Sequence, residues 1–262
     1  MEAVGRQPFR LVACGRSDVG MRRPHNEDTI EVNAPLHLYV VADGMGGHAA
    51  GEVASHTAVD QIREFLTHAR VDKDFTWPFG FDNSRSLPEN LLSSAIHLAN
   101  RRVCQLAGEN RDYNGMGTTL SALFESEDLI HIGHVGDSRI YRLRGGQLEL
   151  VTTDHSWVNE QLQRNIITED EARHHRWRNV ITRALGNRTD LEVDIKSHEA
   201  LDGDLFLLCS DGLSAMVSDE EIARTLRETP DDMEAACRAL IETANREGGL
   251  DNISVILVRV QF

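Results

Sequence analysis

Four aspartates of this 262-residue chain stand at the borders of apolar segments. Asp43, Asp137 and Asp211 each follow an apolar run that is typical of a buried strand, and Asp251 lies just before another such run. Each could be an independent turn residue. Strands packed in sheets, however, bring such ends together, because antiparallel order places the start of one strand beside the end of its neighbour. The pattern therefore indicates a cluster of carboxylates.

A cluster of this kind requires a cation on energetic grounds. Two like charges about 4 Å apart repel by roughly 1 kcal/mol in water and by roughly 4 kcal/mol at an effective dielectric of about 20. Clustered carboxylates would therefore repel one another or take up protons, and a divalent ion reverses that tendency. Carboxylate, carbonyl and water ligands select Mg²⁺ or Mn²⁺ over Zn²⁺. We expect a site this acidic to hold two ions and to activate a bridging water.

A glycine-rich turn follows the first of these aspartates. Within eight positions of Asp43 the chain carries Gly44, Gly46, Gly47 and Gly51. Glycine lets a backbone turn sharply and approach a ligand closely, so a backbone carbonyl beside Asp43 could add another oxygen ligand. The alternative is an ordinary strand-to-helix turn in which Asp43 only caps the helix.

Composition limits the classes of partner and compartment. Lys and Arg number 27 against 42 Asp and Glu, a net charge of −15 that disfavours nucleic acid and anionic membranes as partners. No apolar run approaches the roughly 18 residues of a membrane span, and residues 1–10 lack the apolar region of a secretory signal. No linker divides the chain, which favours one domain over 1–262. The cysteines form no C-x-x-C pair, which favours reduced thiols in a cytoplasmic protein.

Periodicity predicts the elements that would position the acids. Apolar residues recur at helical spacing over 52–68 and again after the capping-box sequence at 86–89. Gly145–Gly146 between two short apolar runs predicts a two-residue hairpin. The region 154–194 is more polar, and we expect it to be helical. The segment 70–85, called the aromatic loop below, either packs its aromatic rings onto the body of the protein or presents them to a partner.

Short motifs occur along the chain in a characteristic order. They are Ser17-Asp18-x-Gly20, Arg23-x-x-Asn26-Glu27-Asp28, Asp43-Gly44-Met45-Gly46-Gly47-His48, Gly117-Thr118-Thr119, Gly136-Asp137-Ser138-Arg139, Ser210-Asp211-Gly212 and Asp251-Asn252. Together they resemble the PPM family of metal-dependent serine/threonine protein phosphatases in its bacterial, type 2C-like form. Any one motif is weak, but the ordered set is specific and extends from about Ser17 to Val260.

The resemblance implies a fold and a place for the site. The expected fold class is α+β: an αββα four-layer sandwich in which two antiparallel β-sheets are flanked by helix pairs. The region 154–194 would be a small helical flap beside a binuclear metal centre at one end of the sandwich.

The resemblance also implies roles for the acids. Asp43 would bridge two tightly bound ions, Mn²⁺ or Mg²⁺, and Gly44 would contribute its carbonyl. Glu27 would bind one ion, while Asp211 and Asp251 would bind the other.

Further residues would complete the machinery. Asp28 and Asn252 would lie next to the ligands without binding an ion directly, and Asp28 would hydrogen-bond to a metal-bound water. Asp137, with Asp211, would hold a weaker third ion, although Asp137 could instead be a turn residue that orients its neighbour. Arg23 would clamp the substrate phosphate, as suits its bidentate geometry. Arg23, Asp43 and Asp137 are thus the expected catalytic residues.

The implied activity is hydrolysis of phosphoserine and phosphothreonine in proteins by a metal-bridging hydroxide, which would reverse a bacterial Ser/Thr kinase. Expected partners are phosphoproteins, including the cognate kinase, and the expected form is a cytoplasmic monomer. Two other classes stay open: a pseudophosphatase that only binds phosphoproteins, and a small-molecule phosphohydrolase. Met45 stands where many eukaryotic members carry His, and His48 lies three positions further on. The general acid is therefore left unassigned.

Overall fold

The computed structural model describes residues 9–46, 50–72 and 75–262, and within them two antiparallel sheets pack face to face between helices. The strands are β1 (Arg10–Asp18), β2 (Asp28–Asn33), β3 (Leu38–Met45), β4 (Gly117–Thr118), β5 (Leu120–Ser126), β6 (Leu129–Val135), β7 (Arg139–Arg144), β8 (Gln147–Leu150), β9 (Asp194–Glu199), β10 (Leu205–Cys209) and β11 (Ile253–Gln261). The helices are α1 (Ala50–Val71), α2 (Leu87–Glu109), α3 (Trp157–Gln163), α4 (Glu169–His174), α5 (Asp211–Ser214), α6 (Asp219–Glu228) and α7 (Met233–Arg246).

One sheet has the strand order β1-β11-β10-β7-β8, and the other has the order β2-β3-β5-β6-β9, with β4 paired to β3. Strand β3 shows why the central strands read as continuous apolar runs. Its residues Tyr39 and Val41 face the opposite sheet, whereas Leu38 and Val40 face the outer helices, and all four are fully buried. A strand covered on both faces gains from apolar residues at every position.

Helices cover both outer faces. Helices α1 and α2 pack against the sheet that contains β3, and α6 and α7 pack against the other sheet. The predicted capping box at the start of α2 is formed, since Ser86 Oγ accepts from the Glu89 N–H and the Glu89 side chain accepts from the Ser86 N–H. The layers therefore run helix, sheet, sheet, helix, which confirms the expected αββα sandwich. Among the described helices, none combines the length and the apolar character of a membrane span.

Two further expectations can be compared with the elements. The hairpin is confirmed: Gly145 and Gly146 join β7 to β8 with φ angles of 55° and 82°, which glycine adopts without strain. The region 154–194 is less helical than expected, because only α3 and α4 form and irregular chain follows them. Its last residue begins β9, a polar strand at the edge of its sheet. Edge strands carry charged and polar side chains, which weakens their apolar signal.

The aromatic loop packs its rings onto the body of the protein within the described residues. Phe75 contacts Phe65 of α1 edge-on, with ring centroids 5.6 Å apart, and Trp77 stands between Phe75 and Phe81 at 4.8 and 5.1 Å. Phe79 lies under a guanidinium of α2, 4.4 Å from the ring centroid. Phe79 and Phe81 each stay 43% exposed, so the loop is anchored but not fully covered.

Candidate active site

The four aspartates predicted at strand borders meet Asp28 at one end of the sandwich. Asp28 and Asp43 are direct cross-strand neighbours in the β2–β3 register. Strand β10 lies between β7 and β11, so Asp211, which follows β10, adjoins Asp137 before β7 and Asp251 before β11. The carboxylate of Asp43 experiences repulsion from each of the other four. Both sheets therefore contribute acids to one cluster.

This cluster perturbs the protonation of its members. Burial raises the pKa of Asp43 well above its usual range, and repulsion from neighbouring carboxylates adds to the effect. The pKa of Asp28 and that of Asp137 both rise to about 7, chiefly because each group is buried. Burial also raises the pKa of Asp211, while a hydrogen bond shared with Asp43 opposes that shift. Without a cation, folding gathers carboxylates that resist ionisation.

Several oxygens of the site lack a hydrogen-bond partner in the part of the chain that the structure describes. Buried carboxylate oxygens that accept no hydrogen bond from the described residues are Glu27 Oε1, Asp28 Oδ1, Asp137 Oδ1 and Asp211 Oδ1. A buried polar atom left without a partner is costly, and more so when it is charged. Oxygens of this kind fit a hard divalent cation, which prefers carboxylate ligands. The chemistry of the donors therefore fits the Mn²⁺ or Mg²⁺ that the sequence predicts.

The side chains alone do not complete a ligand shell. Within the described ranges, no three Asp, Glu, His or Cys side chains form a group arranged to hold a metal ion. Each ion would then need backbone carbonyl and water oxygens in addition. Mg²⁺ in particular keeps several waters when it binds through one or two carboxylates.

The backbone beside Asp43 is packed too closely for any residue but glycine. A Cβ on Gly44 would lie 2.1 Å from the carbonyl oxygen of Gly51, and a Cβ on Gly51 would lie 2.7 Å from Glu27 Oε1. The carbonyl of Glu27 accepts from the Gly44 N–H at 3.2 Å and from Ser55 Oγ at 2.6 Å. These contacts lock the Glu27 backbone to β3 and α1. Gly47 and His48 lie outside the described residues.

Asn252 organises the loop between β1 and β2. Its side-chain oxygen accepts from the Glu27 N–H at 2.8 Å, and its amide donates to the carbonyls of Val19 and His25 at 2.9 Å each. This residue is 5% exposed, so the bonds are shielded from water. Asn252 thus holds the loop that carries both Arg23 and Glu27.

Arg23 lies at the mouth of the site and is paired with a predicted metal ligand. Its Nη2 donates to Asp251 Oδ2 at 2.7 Å, and this hydrogen bond raises the pKa of Arg23. The guanidinium is half-exposed, so it faces both solvent and the carboxylate cluster. That position would allow the donors that Arg23 does not give to Asp251 to meet an incoming phosphate.

Two residues that support the acids were not assigned roles from the sequence. Ser210 Oγ donates to Asp28 Oδ2 at 2.8 Å, and Thr119 Oγ1 accepts from the Asp43 N–H at 3.0 Å. Both residues are fully buried. Each lies within one of the short motifs named in the sequence analysis. Serine and threonine are common residue types, however, so the residue type alone gave no reason to assign either one a role.

Asp137 does not orient Arg139 through a hydrogen bond. Arg139 donates to both carboxylate oxygens of Asp154 and to the hydroxyl of Tyr141 instead. Its pairing with Asp154 joins β7 to the first residue of the flap region. Asp137 is therefore left facing the other acids.

Comparison with known proteins agrees with this fold. The family described as Protein phosphatase 2C matches residues 23–257. The serine/threonine phosphatase stp of Listeria monocytogenes is 38% identical over 252 residues, which cover 93% of each chain. The serine/threonine protein phosphatase PstP of Mycobacterium tuberculosis is 40% identical, although the match spans only 44% of that longer protein.

Solved structures of PstP superpose closely on this fold. The crystal structure of the Mycobacterium tuberculosis protein gives a TM-score of 0.82 at 36% identity and covers 96% of this chain and 99% of that one. A structure of the PstP catalytic domain in complex with two manganese ions gives 0.81 at 36% identity, with 97% and 100% coverage. The chain belongs to the protein phosphatase 2C family of metal-dependent phosphatases.

Proposed function

We propose that this enzyme hydrolyses phosphoserine and phosphothreonine in proteins with the help of two divalent ions, Mn²⁺ or Mg²⁺. The carrying observation is the cluster of buried carboxylates with unpartnered oxygens, gathered by both sheets at one end of the sandwich. Asp43 would contribute a ligand to each of the two ions. Glu27 and the Gly44 carbonyl would hold one of them, and Asp211 and Asp251 the other.

The protein's own groups would orient the substrate and the ligands. Bound ions would supply positive charge and an activated water at the phosphorus. Arg23 would bind the phosphate oxygens through the donors that it does not give to Asp251, which steadies the charge that develops on the phosphoryl group. Ser210 and Asn252 would keep Asp28 and Glu27 in place, because each donates or accepts a short buried hydrogen bond there.

Asp137 and Asp211 would hold a weaker third ion. The unpartnered Oδ1 atoms of these two residues support this assignment, as does the repulsion that Asp211 exerts on Asp137. Because this position lies toward the β6–β7 turn, it could empty without disturbing the ligands on β2 and β3.

We further propose that residues 1–262 form one phosphatase domain with its flap over 154–194. It would act as a monomer in the cytoplasm, opposite a bacterial Ser/Thr kinase. The ion pair between Arg139 of β7 and Asp154, the first residue of the flap, supports the assignment of the flap to the same domain. The four cysteines are all free thiols, which suits a reducing compartment.

A metal titration on defined substrates tests the activity. The purified enzyme, treated with EDTA and then given Mn²⁺ or Mg²⁺, should release phosphate from a phosphothreonine peptide and should be inactive before metal is added. Asp43→Asn should remove turnover, while Asp231→Asn, at an exposed aspartate between α6 and α7, should not. Turnover in the metal-free enzyme would contradict the binuclear site. Preference for free phosphoserine or nucleotides would point to a small-molecule phosphohydrolase.

A further inference from the structure

The backbone N–H and carbonyl of Gly136, immediately before Asp137, are both bound by one residue, His155. The Gly136 N–H donates to His155 Nδ1 at 3.1 Å, and the His155 N–H donates to the Gly136 carbonyl at 2.7 Å. Gly136 has a φ of 113°, and a Cβ there would lie 2.6 Å from Thr119 Cβ. The turn is thus pressed against Thr119 and fixed by His155, which leaves the direction of the Asp137 side chain little freedom.

The ring bond defines the protonation of His155. Because the Gly136 N–H donates to Nδ1, that nitrogen must be unprotonated and the proton must lie on Nε2. Nε2 faces both Asp194 Oδ2 and Arg183 Nη1 at 3.4 Å, so the imidazole spans from the Asp137 turn to the first residue of β9. His155 is 6% exposed, and burial lowers its pKa, in keeping with a neutral ring.

The same residue is tied to the far end of the flap. The Thr182 N–H donates to the His155 carbonyl at 2.8 Å. Arg183, the next residue, pairs with Asp194 at 3.4 Å. His155 therefore connects the first residues of the flap, the segment at Thr182 and the turn that carries Asp137.

We propose that His155 is a positioning residue: its ring acceptor fixes the Gly136 peptide, aims Asp137 at the metal cluster and joins that turn to the base of the flap. The catalytic consequence rests on the proposed function. The structural part, an ordered Gly136–Asp137 turn, does not.

A pair of substitutions separates the ring acceptor from the rest of the side chain. His155→Asn can place its amide oxygen near the position of Nδ1, whereas His155→Gln places its polar atoms near Nε2. We expect His155→Gln to lower kcat at saturating Mn²⁺ by about 10- to 100-fold, the usual effect of losing a group that orients a metal ligand. We expect His155→Asn to keep most of the wild-type kcat.

Amide hydrogen exchange in the metal-free protein gives a readout independent of activity. The Gly136 amide should exchange about tenfold faster or more in His155→Gln, since its buried N–H loses its acceptor, and should stay protected in His155→Asn. His131→Gln is the matched control. Like His155, His131 is a buried histidine, but it lies on β6 and its ring contacts Ser197 and the Ser126 carbonyl. The His131→Gln variant should therefore leave Gly136 exchange and kcat at saturating Mn²⁺ unchanged.

The outcomes distinguish the two proposals. The positioning role would be overturned if both His155 variants had equal kcat and equal Gly136 exchange. It would also be overturned if His155→Asn failed to fold. A wild-type enzyme that is inactive with Mn²⁺, but shows the expected exchange pattern, would overturn the proposed function and leave the role of His155 in the turn intact.

Discussion

Asp28 provides a direct test of whether folding gathers acids at an energetic cost. Its carboxylate is buried, its Oδ1 has no hydrogen-bond partner among the described residues, and Asp43 lies opposite it in the neighbouring strand. Burial raises its pKa from 3.8 to about 7. An acid with a higher pKa in the folded state holds its proton more tightly when folded. Metal-free protein should therefore lose stability as the pH rises from about 4 to about 7.

The size of this loss follows from the shift. The pKa of Asp28 differs by about three units between the unfolded chain, at 3.8, and the folded protein, at about 7, which corresponds to about 4 kcal/mol above neutral pH. Asp28→Asn has nearly the same shape but no charge. It should lie within about 1 kcal/mol of wild type near pH 4.5 and be the more stable protein by up to about 4 kcal/mol at pH 8, or on the order of 10 °C in Tm.

The assay is thermal and urea unfolding of both proteins in EDTA across pH 4.5 to 8. Asp204→Asn is the control, because Asp204 is equally buried but accepts two bonds from Arg144 at 2.7 and 2.6 Å. The same substitution there should destabilise the protein by about 1.5–3 kcal/mol. A wild type that grows more stable toward pH 8, or a difference between wild type and Asp28→Asn that does not depend on pH, would refute the reasoning.

Three other substitutions have definite expected outcomes. Arg23→Ala should weaken binding of a phosphothreonine peptide and lower kcat while calorimetry shows unchanged Mn²⁺ affinity, and Arg22→Ala should change neither; a large loss of Mn²⁺ affinity would mean a structural role. Asp137→Ala should keep two tightly bound Mn²⁺ and lose most turnover. Asp251→Ala should first lose Mn²⁺ affinity, and its activity should partly recover at high Mn²⁺. A fully active Asp137→Ala enzyme would exclude a catalytic third ion. Gly44→Ala should destabilise the protein by about 1–3 kcal/mol in urea unfolding, because its Cβ would lie 2.1 Å from a carbonyl oxygen of α1, and an unchanged midpoint would contradict this.

Local patterns in the sequence determined much of the architecture. The apolar runs that end on Asp43 and Asp211 became β3 and β10, the capping box at 86–89 starts α2, and Gly145–Gly146 closes a hairpin. These features depend on residues within one or two turns of each other, so periodicity and turn chemistry suffice to read them. Strand β9 escaped prediction because an edge strand needs no continuous apolar face.

The relations between distant segments were decided only by tertiary structure. Arg23 pairs with Asp251 across the loop between β1 and β2, Asp28 stands opposite Asp43, and His155 holds the turn at Gly136. Residue types and motif order named most of these positions in advance. The pKa shifts, the unpartnered oxygens and the choice of hydrogen-bond partner could not be named, because burial and repulsion depend on which side chains the two sheets bring together in space.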